Sequence, residues 1–111
     1  MISCAYIREM ARYNRWQNRN IFAAATTLTD EQRCADRGAF FKSIHGTLSH
    51  LFWGDCMWMH RFSGSPAPDC TLASSAGFRT DWRSLSTERA AMDEAIIVWA
   101  DNLSPQWLEG D

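Results

Sequence analysis

The sequence from residue 37 to residue 64, RGAFFKSIHGTLSHLFWGDCMWMHRFSG, decides the fold. Within it, large apolar side chains recur every three or four residues, which places them on one face of an α-helix. We therefore predict a long helix from about Phe40 to Phe62 that turns this face toward the core. The predicted core-facing stripe consists of Phe41, Ile44, Leu48, Leu51, Asp55, Trp58 and Phe62.

Two more long helices are predicted, one on each side of this segment. The earlier helix should run from about Ser3 to Thr26. The later helix should begin near Ser86, because serine is a favoured N-cap residue, and should end before Pro105. Their predicted apolar faces consist of Tyr6, Met10, Tyr13 and Asn20, with Trp16 and Ala23 beside them, and of Met92, Ile96, Trp99 and Leu103.

The connecting segments carry recognisable signals. Thr29 and Gln32 have the spacing of a capping box, which predicts one short helical turn after the first helix. Residues 63–77, SGSPAPDCTLASSAG, are loop by composition. Since no alternating strand pattern is present, we expect an all-α protein. The predicted architecture is a single domain over residues 1–111, an up-down helical bundle with one long crossover.

Composition and charge argue against some classes of function. The net charge is −2 and the two signs are mixed along the chain, which argues against nucleic-acid binding. No apolar run approaches the roughly 18 residues of a membrane span, and the N-terminal residues do not resemble a signal peptide. We expect a cytoplasmic protein without membrane contact. The cysteines Cys4, Cys34, Cys56 and Cys70 have no C-x-x-C spacing, so free thiols are expected.

The three histidines, His45, His50 and His60, all lie on the predicted second helix. His45 and His50 point roughly 140° apart around the helix, and His60 lies roughly 15 Å beyond His50 along its axis. Three imidazoles so placed cannot bind one metal ion. By periodicity, His45 and His50 flank the two edges of the stripe equally well, and His60 lies on the polar side. Either flanking residue could instead be a half-buried histidine with a hydrogen-bond partner.

Three segments of the chain resemble the DinB family. The first helix matches a Y-N-x-W-x-N pattern through Tyr13, Asn14, Trp16 and Asn18, and LSTERAAMDEAI is similar to the third helix of the family. The second helix matches more specifically. Its matching residues are Ser43, Ile44, His45, Gly46, Thr47, Leu48, His50, Leu51, Asp55, Trp58, Arg61 and Phe62.

This resemblance implies a four-helix bundle, often a homodimer, that binds a divalent metal through three histidines. His50 occupies the position of the ligand on the second helix, where Ser49 replaces the usual asparagine before it. The other two ligands are implied to be an H-x-x-x-H pair on a fourth helix. No such pair occurs in this sequence. We therefore expect three long helices of four and a C-terminally truncated chain.

Two functions follow as expectations. The resemblance implies a metal-dependent thiol S-transferase or hydrolase with zinc or nickel and a thiol or other small-molecule substrate, whose site is incomplete here, so that this chain could lack metal. The alternative is a non-catalytic binding or oligomerisation module. Asp55 would either orient helices or ligands near His50, or be a buried carboxylate bonded to a tyrosine or tryptophan. His45 matches the family pattern without a known role.

Overall fold

The computed structural model describes residues 3–38 and 42–106. Within these ranges the chain forms α1 (Cys4–Thr26), a short α2 (Asp30–Cys34), α3 (Ile44–Ser63), a 3₁₀ helix (Leu72–Gly77) and α4 (Trp82–Asp101), with no β-strand. The predicted all-α class with three long helices is therefore confirmed. The predicted start of the second helix near Phe40 is wrong, because Ser43 is extended and caps a helix that begins at Ile44. Phe40 itself and the stripe residue Phe41 lie outside the described residues.

Each α-helix begins at a polar cap. The side-chain oxygens of Ser3, Thr29, Ser43 and Asp81 each accept a hydrogen bond from the backbone N–H three residues later. Such a cap satisfies one of the N–H groups that a helix start leaves unpaired. The predicted capping box is confirmed in full, because the Gln32 side chain also accepts from the Thr29 backbone N–H.

The start of α4 differs from the prediction. Ser86 is not the N-cap, since the helix begins at Trp82 and is capped by Asp81. Ser86 lies inside the helix, and its buried hydroxyl has no hydrogen-bond partner among the described residues. The segment predicted as loop, residues 63–77, also contains the 3₁₀ helix Leu72–Gly77.

α4 packs against both other long helices, in opposite directions. It is antiparallel to α1, because the Arg8 guanidinium donates to the Leu103 carbonyl and Phe22 stacks on Trp82 at the other end. It is parallel to α3, because Trp82 also contacts the ring of His45, and the later residues Arg89 and Asp55 form an ion pair. The crossover between α3 and α4 therefore returns along the length of the bundle.

The predicted face of α3 is wrong in part. The buried residues of this helix include His45, Leu48, Ser49, Phe52 and Met59, which we call the inner face. Leu51, Trp58 and Phe62, here called the outer face, are exposed by 54%, 52% and 40%. The two faces lie side by side on one helix, and among the stripe residues that the structure describes only Leu48 is buried.

The predicted apolar faces of α1 and α4 differ in how much of each is buried. Tyr6, Met10 and Tyr13 of α1 are exposed, because this helix turns Ala11, Phe22 and Ala25 inward instead. Asn20, Trp16 and Ala23 are exposed as well. Leu103, just after α4, is buried as predicted, and Met92, Ile96 and Trp99 of α4 are half-buried against the core. Over the described residues, no helix is long and apolar enough to cross a membrane.

The apolar core has two parts. One cluster, between the end of α1 and the start of α4, contains Phe22, Ala25, Leu48, Phe52 and Leu85. The other contains Ala11, Ile97 and Ala100. Along both α1 and α4, polar residues separate the two clusters.

Candidate functional site

The structure separates the three histidines by environment. His45 is buried, and its Nε2 lies 2.6 Å from the Arg79 carbonyl oxygen. A carbonyl only accepts, so Nε2 carries the proton and donates this bond. A metal ion at His45 would have to reach Nδ1 inside the protein. The structure therefore makes His45 a link between α3 and the crossover segment, which periodicity alone did not distinguish from a ligand.

His60 is exposed, as its position on the polar side of the helix predicts. Its Nδ1 lies 2.8 Å from the Ser65 carbonyl oxygen and must donate to it. This bond joins the end of α3 to the segment that follows it.

His50 is half-buried and contacts the 3₁₀ helix through one ring nitrogen. Its Nδ1 lies 2.7 Å from the Ser75 hydroxyl oxygen, while that hydroxyl donates its only hydrogen to the Leu72 carbonyl at 2.8 Å. The Ser75 oxygen must therefore accept from Nδ1, and the neutral imidazole then carries its lone pair on Nε2. This is the tautomer that a metal ligand needs when the ion binds at Nε2.

The serine that sets this tautomer is itself held firmly. Ser75 is fully buried, and its backbone carbonyl accepts a hydrogen bond of 3.0 Å from the Ser49 hydroxyl. The Ser49 oxygen in turn accepts from the backbone N–H of Arg79. Ser49, the replacement for the usual asparagine, thus anchors the crossover segment beside His50. No sequence pattern pointed to Ser75, because this residue lies in a stretch predicted as loop.

A complete metal site is not formed by the described parts of the chain. No group of three or more His, Cys, Asp or Glu side chains comes together there in a geometry that could hold an ion. The ring of Trp53 stacks beside His50, with the two centroids 6.0 Å apart. A β-carbon placed on Gly54, one turn from His50, would meet no atom within 4 Å. The residues present fit one ligand of a site and leave space beside it.

A second polar cluster, which we call the buried network, lies between the two apolar clusters. Arg89 donates to Asp93 at 2.6 Å and to Asp55 at 2.5 Å, and Asn14 and Asn18 donate to the Asp93 carboxylate at 3.1–3.2 Å. Arg89 and Asp93 are only 3% and 2% exposed. Burial raises the pKa of Asp93, and the bonds from Arg89 and Asn18 oppose that rise.

The buried network accounts for residues that the resemblance singled out. Asn14 and Asn18 of the Y-N-x-W-x-N pattern hold α1 to α4, and Asp55 holds α3 to α4. Asp55 is bonded to an arginine, not to a tyrosine or tryptophan. Sequence reasoning missed Arg89 and Asp93, although their spacing of four places them on one face of a helix.

Comparison with known proteins identifies the family. The DinB family matches residues 1–109, which is nearly the whole chain. No curated protein and no solved structure matches it. With the family's second-helix pattern on α3 and its first-helix asparagines in the buried network, the chain belongs to the DinB family.

Proposed function

We propose that this protein is a metal-binding helical bundle in which His50 supplies one imidazole ligand, through Nε2, to a divalent ion. The observation that carries the proposal is the hydrogen-bond relay from His50 Nδ1 through Ser75 to the Leu72 carbonyl. A second partner of this kind fixes the orientation and tautomer of a ligating imidazole. Zinc or nickel suits imidazole ligands, and family membership suggests the same two metals.

The remaining ligands would come from outside the described residues, and we propose the H-x-x-x-H pair of a fourth helix for this role. Such a pair places two imidazoles on one helical face. When bound, the metal would lower the pKa of a thiol or water molecule and so provide a nucleophile at neutral pH. Metal-dependent thiol S-transfer or hydrolysis is the proposed reaction class. This chain contributes an oriented His50 and, beside it, the partly exposed Gly54.

Metal affinity tests the proposal. We would titrate Zn²⁺ and Ni²⁺ into this chain and into a form extended by a helix with an H-x-x-x-H pair, using calorimetry and elemental analysis. The extended form should bind one ion per chain, and His50→Ala should weaken binding by about 100-fold or more, which exceeds the loss typical when only a partner of a ligand is removed. His60→Ala is the matched control and should leave the affinity unchanged. Unchanged affinity in His50→Ala would refute the metal role.

A second candidate function is a binding module that associates with another copy of itself. The observation in its favour is the exposed apolar surface of α1 and α3, which includes Tyr6, Met10, Leu51 and Trp58. Exposed apolar patches often mark interaction sites. Where α1, α3 and α4 meet, a cavity of about 220 Å³ with Asp55 on its wall opens beside this surface.

Light scattering at increasing protein concentration tests the module. A homodimer is expected, and Trp58→Arg should convert it to a monomer. Val98→Arg replaces an apolar residue of α4 that is 60% exposed and serves as the control. A monomer at millimolar concentration would rule out self-association. Thiol-transfer activity in the metal-loaded extended form would favour the enzyme over the module.

A further inference from the structure

One cavity of the described chain lies away from His50. It has a volume of about 490 Å³ and is bounded by α3, the segment after it and α4. Phe52, Phe78 and Met92 form its apolar wall, and Asp69, Arg79 and Glu88 are its charged residues. Cavities of this size, with apolar walls and few polar groups, are typical of small-molecule sites.

The outer wall of this cavity is fastened to α3 at both ends. His60 Nδ1 donates to the Ser65 carbonyl at 2.8 Å, and Trp53 Nε1 donates to the Cys70 carbonyl at 2.9 Å. Between these bonds, Pro66 and Pro68 restrict the backbone and line the cavity. Because the wall is built before any ligand arrives, binding costs little ordering of the chain.

The charges around the cavity do not cancel. Arg79 Nε donates to both carboxylate oxygens of Glu88, at 2.9 and 3.0 Å, so these two residues neutralise each other. Asp69 forms no ion pair with any residue of the two described ranges. The Cys56 thiol on the wall stays protonated, because burial raises its pKa to about 11. The net charge of the lining is therefore −1, from one Arg against Asp69 and Glu88.

We propose that this cavity binds a small amphiphilic cation, with an aromatic or alkyl body against Phe52, Phe78 and Met92 and an ammonium group beside Asp69. The site shares no residue with the proposed metal position, so neither depends on the other. An apolar body is desolvated by the wall, and the ammonium keeps contact with solvent and with the carboxylate. A carboxylate ligand of the same shape would meet repulsion from Asp69 instead.

Three probes of similar size and different charge test the proposal: 2-phenylethylamine, 2-phenylethanol and 3-phenylpropionate. Binding is followed by chemical-shift changes of the protein at neutral pH. The amine should bind about fivefold more tightly than the alcohol, as expected for an exposed ion pair, and the propionate most weakly. Equal affinity for amine and propionate, or no binding of the amine up to about ten millimolar, would overturn the proposal.

Two pairs of variants locate the binding. Ala95→Trp fills the cavity from an exposed position of α4 and should abolish amine binding, whereas Ala90→Trp, on another face of α4, should not. Asp69→Asn should bring the amine affinity down to that of the alcohol, whereas Glu9→Gln on α1 should leave it unchanged. Circular dichroism verifies that each variant is folded. Amine binding that survives Ala95→Trp would place the site elsewhere and refute the proposal.

Discussion

The inner face of α3 mixes apolar and polar residues and is buried, whereas the outer face is apolar and largely exposed. The inner face packs on the 3₁₀ helix and α4, and Phe52 there is 3% exposed. The outer face carries larger aromatic residues, yet Trp58 remains 52% exposed. The comparison shows that the hydrophobicity of its residues does not determine which face of a helix is buried. The neighbouring elements determine it, and they pack where small and polar groups such as Ser49 allow close approach.

The largest expected effect is a difference in stability loss between substitutions on the two faces. Phe52→Ala should lower the free energy of unfolding by about 3–5 kcal/mol, because it leaves a cavity in the core. Trp58→Ala should lower it by less than about 1 kcal/mol, because half of that side chain is already in water. Urea denaturation measures both values. Equal losses would mean that the outer face is covered in solution.

The next effect concerns Arg89, which forms ion pairs with Asp93 and with Asp55. Asp55 lies between the two faces of α3. Arg89→Met should cost on the order of 3 kcal/mol, because the buried Asp93 loses its cation. Arg12→Met removes an exposed ion pair with Asp101 and should cost much less, because solvent screens that pair. Urea denaturation of both variants provides the comparison. Adding Asp93→Leu to Arg89→Met should recover stability; a further loss would contradict a role for uncompensated charge.

A smaller effect is expected at alkaline pH. Burial raises the pKa of Cys56 from 9.0 to about 11, so the folded state holds this proton more tightly than the unfolded chain. The stability that this provides is fully present below about pH 9 and is lost as the pH rises toward 11. Cys56→Ala should therefore show a flatter decline of unfolding free energy over this range. Cys34→Ala, at an exposed thiol, is the control.

Local signals in the sequence predicted helix ends better than helix faces. The caps at Ser3 and Thr29 were predictable, because each depends on residues only three positions apart. The same logic misplaced the start of α4, since Asp81 and Ser86 are both acceptable caps and only packing of Trp82 on Phe22 selects the first. The inner face of α3 was not predictable, because it contains His45 and Ser49.

The candidate site was predictable only in part. The family resemblance contributed more to that prediction than the spacing of the histidines did. Periodicity left His45 and His50 equivalent, and the family pattern selected His50. The hydrogen bond between His50 and Ser75 joins residues 25 positions apart across a segment predicted as loop. Contacts of that range depend on how the crossover packs, which no local pattern encodes. Arg89 and Asp93 share a helical face, but their burial likewise depends on α1 and α3.

The ring nitrogens of His50 offer the most direct test of the metal proposal. A long-range ¹H–¹⁵N correlation spectrum at neutral pH distinguishes the two imidazole tautomers. We predict a proton on Nδ1 of His50 and the opposite tautomer for His45, with Ser75→Ala giving a mixture at His50 alone. In the form extended by an H-x-x-x-H helix, one equivalent of Zn²⁺ should shift the Nε2 signal of His50. A proton on Nε2, or a Zn²⁺ response that leaves His50 unchanged, would contradict its assignment as a ligand.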